Sequence, residues 1–127
     1  MLFLEIFDES GDDFPELTTV LDDELVEYLS RLAGFPAFRS LGSLDRETDT
    51  LLEEPLREGL WNELAVLAPQ VQKRLLPEPP PWVGLDGLDD IRLGEEFGWA
   101  GLVDFLSRLQ RLLTLARKPG MELWVSG

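Results

Sequence analysis

The sequence predicts an α+β fold: one small domain in which about three helices pack on a small sheet formed by the two terminal strands. The run Leu2 to Phe7 is apolar apart from Glu5, which is typical of a short buried strand. Near the other end, Met121, Leu123 and Val125 occupy alternate positions, which indicates a second strand. Segments between the two have apolar residues at helical spacing, so we expect helices there.

Length and composition predict a single domain over residues 1–127. A chain of 127 residues buries enough surface for one ordinary core. Apolar residues make up 44% of it and charged residues 28%, which is typical of a globular protein even at a net charge of −14. The segment 77–81 contains four prolines and is expected to be a stiff polyproline II connector within the domain, anchored by Trp82.

The first helix is predicted after an acidic loop. The strand stops at the turn-forming residues 8–12, and an apolar stripe at helical spacing follows. Asp22 or Asp23 is expected to cap this helix by accepting a bond from its free amides, while Gly34 and Pro36 end it. Carboxylates at a helix start also interact favourably with the helix dipole, so part of the acidic cluster has a structural explanation.

A second helix is predicted from Pro55, after irregular or short extended structure over residues 35–54. Its apolar stripe consists of Leu56, Leu60, Leu64, Leu67 and Val71. Since Pro69 removes one helix bond, the stretch either kinks near Leu67 or restarts as a second short helix through Leu76.

The clearest helical pattern runs from Phe97 to Arg117 and stops at residues 118–120. Its predicted buried face consists of Trp99, Leu102, Val103, Leu106, Leu109, Leu113 and Ala116. Arg108 and Arg111 lie on the opposite side of the helix. A local ion pair with Asp104 on a solvent-exposed face explains the presence of these arginines more simply than an anion-binding site does. The tryptophans are interpreted as core packing rather than as a stacking surface for bases or sugars.

The sequence carries no signature of catalysis or cofactor binding. It contains no cysteine and no histidine, which excludes thiolate chemistry and removes the usual base of a serine nucleophile. Phosphate-binding glycine loops are absent, and we expect both lysines, Lys73 and Lys118, to be solvent-exposed. We therefore predict a non-enzymatic protein without a cofactor or metal.

Abundant carboxylates leave one enzymatic alternative, a carboxylate-based or metal-assisted hydrolase. Such an enzyme needs a carboxyl group in a protected pocket, whereas these lie in polar runs. Asp8, Ser10 and Asp12 alternate as in a calcium-binding loop, but that motif requires glycine where Asp13 stands and glutamate where Thr19 stands. A specific calcium site is therefore not predicted, although adventitious divalent binding stays open.

The strongest functional signal is negative charge near the amino end. Ten carboxylates precede the first basic residue, Arg31, and residues 1–63 hold 17 acidic against 4 basic residues. We expect this surface to repel nucleic acid and anionic membranes and to attract a more basic protein. The predicted contact residues are Asp8, Glu9, Asp12, Asp13, Asp22, Asp23 and Glu24. The alternative is an acidic surface that confers solubility and has no specific partner.

Two further expectations follow from the sequence. The first residues lack the basic and long apolar regions of a signal peptide, which favours a cytoplasmic location; the oligomeric state stays open. Crowded like charges are expected to raise the pKa values of some carboxyl groups in the acidic loop, so that mild acid or added salt stabilises the fold.

The segment 41–67 resembles a group of small, uncharacterised bacterial proteins. The shared pattern is Leu-Asp, then Asp-Thr, then a helix with Glu-Leu, carried here by Leu44, Asp45, Asp49, Thr50, Glu63 and Leu64. The ending Met-Glu-Leu-Trp-Val-Ser-Gly is similar to that group's closing strand. The resemblance implies an immunity protein of a bacterial toxin system and transfers no binding site. It departs from the group at residues 53–55, where Glu-Glu-Pro replaces the usual Asn and Gln.

Independently of any family, three of these residues have simple structural interpretations. Asp45 and Thr50 are expected to form a turn and the start of a helix, and Glu63 to be a surface or capping carboxylate.

Overall fold

The strands at the two ends of the chain pair with each other, as the sequence predicts. In the computed structural model, which describes residues 2–21, 23–79 and 97–127, Leu2–Phe7 runs antiparallel to Glu122–Ser126. Five residue pairs join them, from Phe3 opposite Ser126 to Phe7 opposite Glu122. The α+β class is therefore confirmed.

The described residues form four strands and four α-helices. In chain order these are β1 (Leu2–Phe7), β2 (Thr19–Leu21), α1 (Asp23–Arg31), α2 (Pro36–Gly42), β3 (Thr50–Leu51), α3 (Glu54–Gln72), α4 (Phe97–Ala116) and β4 (Glu122–Ser126). A short 3-10 turn, Pro15–Leu17, precedes β2. The strand order across the sheet is β2-β1-β4-β3, and every neighbouring pair is antiparallel.

The two outer strands were not predicted because they are too short to show alternation. β2 has three residues and pairs with β1, with Leu21 opposite Leu2. β3 has two residues and pairs with β4, with Leu51 opposite Trp124. Pairing with a longer central strand, not local propensity, establishes both of them.

The prediction of irregular or short extended structure over residues 35–54 is wrong for Pro36–Gly42, which form the helix α2. A proline at the first helical position is a recognised start signal, since the missing N–H would be unpaired there. The whole helix has only seven residues, so helical periodicity is hard to detect.

The helix predicted from Pro55 is one continuous helix, α3, which continues through Pro69 to Gln72. Of the two predicted alternatives, a restart as a second short helix through Leu76 is therefore wrong. Pro69 removes only the bond that its own N–H would donate, and the helix continues for three residues beyond it; the chain then leaves the helix, with Arg74 at a positive φ of 51°. Of the proline-rich connector, only 77–79 is described; there the Tyr28 hydroxyl donates a bond to the Pro77 carbonyl at 2.8 Å.

One core joins the inner face of the sheet to the helices. Leu2, Leu4 and Ile6 of β1 are buried in the same cluster as residues from all four helices. The predicted span of α4 is confirmed, but Val103 is 51% exposed, and Phe105 belongs to the buried face instead. No helix among the described residues is both long enough and apolar enough to cross a membrane. Some residues named in the predictions lie outside the described part of the chain: Asp22, residues 80–81 and Trp82. The same holds for Gly84, Gly87 and Gly94, which we expect to form a loop between the proline-rich connector and α4.

Candidate functional site

The sheet has one buried face and one face that is partly exposed. Along β1, buried residues alternate with Phe3, Glu5 and Phe7, which are partly exposed. Along β4, buried Leu123 and Val125 alternate with residues 122, 124 and 126, which are exposed or partly exposed. Because successive side chains of a strand point to opposite faces, these exposed residues share the face turned away from the core.

The register places acidic and aromatic side chains next to each other on this outer face. Glu5 lies opposite Trp124, and Phe7 lies opposite Glu122. Directly opposed residues of antiparallel strands have Cβ atoms about 5 Å apart, so the four side chains form a square in which each acid neighbours two aromatic rings. We call Glu5, Phe7, Glu122 and Trp124 the outer-face patch.

A shallow groove of about 370 Å³ opens over this patch. Its lining consists of Glu5, Phe7, Asp8, Glu9, Gly11, Asp49, Glu122, Trp124 and Ser126. Five of these nine residues are carboxylates and none is basic. The Ser126 hydroxyl is 3.4 Å from Glu5 Oε1 and donates a hydrogen bond to it. The groove thus combines an apolar floor with a negative rim.

The acidic loop that follows β1 is organised around one carboxylate. Asp8 Oδ1 accepts bonds from the Ser10 amide at 2.9 Å, the Ser10 hydroxyl at 2.6 Å and the Asp12 amide at 3.0 Å. An isolated bridge between Phe7 and Asp13 closes the loop. Asp8 therefore acts as a turn-forming residue, while Glu9, Asp12 and Asp13 are exposed.

The pKa of Asp8 is lowered, contrary to the expectation that crowding raises pKa values in this loop. The Ser10 hydroxyl is the main cause; partial desolvation opposes it, and the amides of Asp12, Ser10 and Gly11 add to the lowering. Hydrogen bonds to the ionised form thus outweigh the desolvation that opposes them at this group. The expectation is wrong for Asp8.

The loop also contacts the turn that precedes β4. Gly120 has a φ of 80°, and the Glu9 side chain occupies the space that a Cβ atom at Gly120 would fill. A glycine is required here for both the backbone conformation and the close approach. Glu9 is also one of the residues that line the groove over the outer-face patch.

The six predicted contact residues that the structure describes, all except Asp22, do not form one patch. Asp23 and Glu24 begin α1, directly after the strand that pairs with the Leu2 end of β1, whereas Asp8 follows its Phe7 end. At about 3.3 Å per residue, the two groups are roughly 20 Å apart along the sheet. Asp23 is also paired with Arg46 at 3.0 Å. The loop and the helix start are therefore separate negative regions.

The loop carboxylates of Asp8, Glu9, Asp12 and Asp13 have no ion-pair partner among the described residues. The ion pairs found there join Arg31 to Glu27, Arg46 to Asp23, Arg108 to Asp104 and Arg117 to Glu58. The predicted pair between Arg108 and Asp104 is confirmed at 3.2 Å. Over the same part of the chain, no group of three or more acidic side chains is arranged to hold a metal ion.

The tryptophans differ in their environments. Trp99 is buried, as predicted, and Trp61 packs against the core while the Arg117 guanidinium lies 4.1 Å from its ring centroid. Trp124, by contrast, lies on the outer face, so the interpretation as core packing does not hold for it. Trp82 lies outside the described residues.

The residues that carry the family resemblance have structural roles. Asp45 accepts bonds from the Glu47 amide and the Thr48 hydroxyl, which confirms the predicted turn. Thr50 belongs to β3 and does not start a helix. Glu63 is a capping carboxylate: its oxygens accept bonds from the first two amides of α2.

The outer-face patch was missed at the sequence level, although the signal was present. Glu5 and Phe7 alternate with buried residues in β1, as do Glu122 and Trp124 in β4, so both strands predict an exposed side. What the sequence does not reveal is the register that brings these two sides together.

Comparison with known proteins identified no relative: no family model, curated protein or solved structure matches this chain.

Proposed function

We propose that this protein is a non-enzymatic binding module that recognises a more basic protein through its acidic surface and inhibits it, in the manner of an immunity protein in the bacterial cytoplasm. The observation that carries the proposal is the groove on the outer face of the sheet, where the described lining residues include five carboxylates and no basic residue. A positively charged partner supplies the counter-charge that the groove lacks.

The position of the acidic loop supports the same function. The Glu9, Asp12 and Asp13 side chains are exposed, and no ion pair among the described residues neutralises them. Unneutralised carboxylates at the edge of a surface accelerate the encounter with a cationic partner over distances of about one Debye length. Once docked, the bulk of the domain covers the partner's functional surface, so inhibition is steric.

A test uses the protein encoded next to this gene, mixed with the purified chain while association is followed by stopped flow. We expect binding that slows as salt rises. Substituting Glu9→Gln, Asp12→Asn and Asp13→Asn together should slow association by about tenfold and flatten its salt dependence. The triple substitution avoids Asp8, because Asp8 organises the loop.

The matched control removes the same charge elsewhere. Glu47, Glu53 and Glu78 are exposed and belong neither to the acidic loop nor to the groove lining, so their replacement by glutamine should have at most a small effect on association. If both triple substitutions slowed association equally, net charge alone would explain the slower association. That result would contradict a specific acidic binding surface. If the neighbouring protein does not bind at all, the inhibitor role with that protein is wrong.

A further inference from the structure

The geometry of the outer-face patch points to a particular chemistry in the partner: we propose that the patch is a docking site for arginine side chains of the basic protein, stacked on Trp124 between Glu5 and Glu122. The inference rests on the proposed function and makes it more specific, because it names both the contact face and the side chain that is recognised.

The alternation of acids and aromatic rings is the first argument. A guanidinium group is planar, so it can stack on an indole ring while its N–H groups donate to carboxylates at the ring's edge. Glu5 is directly opposite Trp124 in the register, and Glu122 precedes it by two residues on the same face. A lysine ammonium has no flat surface and gains less from this arrangement.

A similar arrangement of an arginine, a tryptophan and a carboxylate is already present among the described residues. Arg117 lies 4.1 Å from the Trp61 ring centroid, and its Nη2 donates to both oxygens of the Glu58 carboxylate at 3.2 Å. The outer-face patch has the tryptophan and the carboxylates, and none of the described residues that line its groove is basic. An arginine from a partner would complete it.

Charge also argues against other occupants of this face. A second copy would bring five more groove carboxylates against the first five, and each chain carries a net charge of −14. Such like-charge juxtaposition disfavours self-association. The partly exposed Phe7 and Trp124, together with Leu51, which is 38% exposed beside Trp124, supply apolar area that a protein partner would cover.

The experiment compares two blocked pentapeptides, Gly-Arg-Gly-Arg-Gly and Gly-Lys-Gly-Lys-Gly, which have equal charge and length. Binding is followed by the indole N–H signal of Trp124 in ¹⁵N-labelled protein, assigned with Trp124→Phe. We expect a saturable shift of that signal, with a dissociation constant about threefold or more lower for the arginine peptide. Trp124→Leu should remove the preference for arginine.

A second experiment tests the two carboxylates with the double variant Glu5→Gln and Glu122→Gln. Its control is the double variant Glu47→Gln and Glu53→Gln, which removes the same charge. We expect severalfold weaker arginine-peptide binding in the first pair and a change below twofold in the second. Thermal unfolding of each variant checks that the fold is retained, and sedimentation checks for self-association. Equal affinity for the two peptides, equal effects of the two pairs, or a concentration-dependent dimer that involves Trp124 would overturn the arginine site.

The outcome separates this inference from the proposed function. If both peptides bind equally and their binding depends on Glu9, Asp12 and Asp13, the acidic surface recognises basic proteins while the arginine site is wrong. If the neighbouring protein binds with no sensitivity to these carboxylates, the proposed function itself fails, whatever the peptides do.

Discussion

The carboxylate of Glu63 in α3 holds the start of α2: Oε2 accepts a bond from the Ala37 amide at 2.6 Å, and Oε1 accepts one from the Phe38 amide at 3.1 Å. Pro36 has no N–H, so these two amides are the first free donors of the helix. No side chain at the N-cap, Phe35, supplies an acceptor. A residue 26 positions away from Ala37 therefore performs the capping that is usually local.

Loss of this cap should destabilise the fold. We expect Glu63→Ala to reduce the free energy of unfolding by about 2 kcal/mol, because two partly buried amides lose a charged acceptor. Glu63→Gln retains one carbonyl acceptor and should cost less. Urea unfolding measures both, with Asn62→Ala, at an exposed position of the same helix, as the control. A Glu63→Ala protein as stable as the control would show that water replaces the cap without cost.

The Arg117, Trp61 and Glu58 cluster should give a measurable but small coupling. The guanidinium lies 4.1 Å from the ring centroid, while the Arg117 and Glu58 side chains are 48% and 46% exposed. Exposed cation–π pairs contribute about 0.5–1 kcal/mol. In a double-mutant cycle of Trp61→Leu and Arg117→Gln, we expect a coupling energy in that range. The same cycle with Arg111, which is exposed on α4, should give none, and a coupling there would reveal a general charge effect.

How far the fold could be predicted depended on element length. β1, α4 and β4 each contain enough residues to repeat an apolar pattern, and all three were predicted. β2 and β3, with three and two residues, exist because a longer strand offers them hydrogen bonds. In such elements tertiary contacts decide the structure, and local sequence carries little of the information.

The sequence predicts the negative charge of the candidate site but not the arrangement of its residues. Counting carboxylates identifies the negative amino-terminal region, and Asp8, Glu9, Asp12 and Asp13 lie together as expected. Asp23 is predicted to lie with them only because it is near in sequence. In the structure, β2 pairs antiparallel with β1, so that Asp23 lies at the other end of the sheet. Register couples residues more than a hundred positions apart, such as Glu5 and Trp124, and no local pattern encodes it.

The lowered pKa of Asp8 predicts the behaviour of the loop in acid. Its folded pKa lies below the ordinary aspartate value of 3.8, so the contribution of Asp8 to stability is present above that value and is lost as pH falls through the folded pKa. We therefore expect no acid stabilisation from this residue between pH 7 and pH 5. Titration of the Asp8 carboxyl carbon by NMR measures the shift directly.

Ser10→Ala is the matching substitution, because the Ser10 hydroxyl is the largest cause of the lowering. It should move the pKa of Asp8 upward, toward 3.8, while leaving the amide bonds in place. Ser107→Ala, at an exposed position of α4, is the control and should leave the titration of Asp8 unchanged. An unaltered pKa in Ser10→Ala would assign the lowering to the backbone amides instead.

Asp104 on α4 should show the opposite dependence on pH. Burial raises its pKa, and the positive charge of Arg111 offsets part of that increase, even though Arg108 Nε lies 3.2 Å from the carboxylate. A raised folded pKa means that the folded state holds the proton of Asp104 more tightly than the unfolded chain does. The contribution of Asp104 to stability is therefore complete below a pH of about 3.8 and is lost as pH rises through the folded pKa. Relative to Asp104→Asn, the wild-type protein should therefore gain stability as pH falls from 7 to 4, measured by urea unfolding at each pH. Arg111→Gln removes the positive charge that opposes the effect of burial and should enlarge that gain in stability. Two results would contradict this expectation: a smaller gain in Arg111→Gln, or a wild-type protein that loses stability relative to Asp104→Asn on acidification. Either result would show that the ion pair with Arg108 dominates the environment of the Asp104 carboxylate.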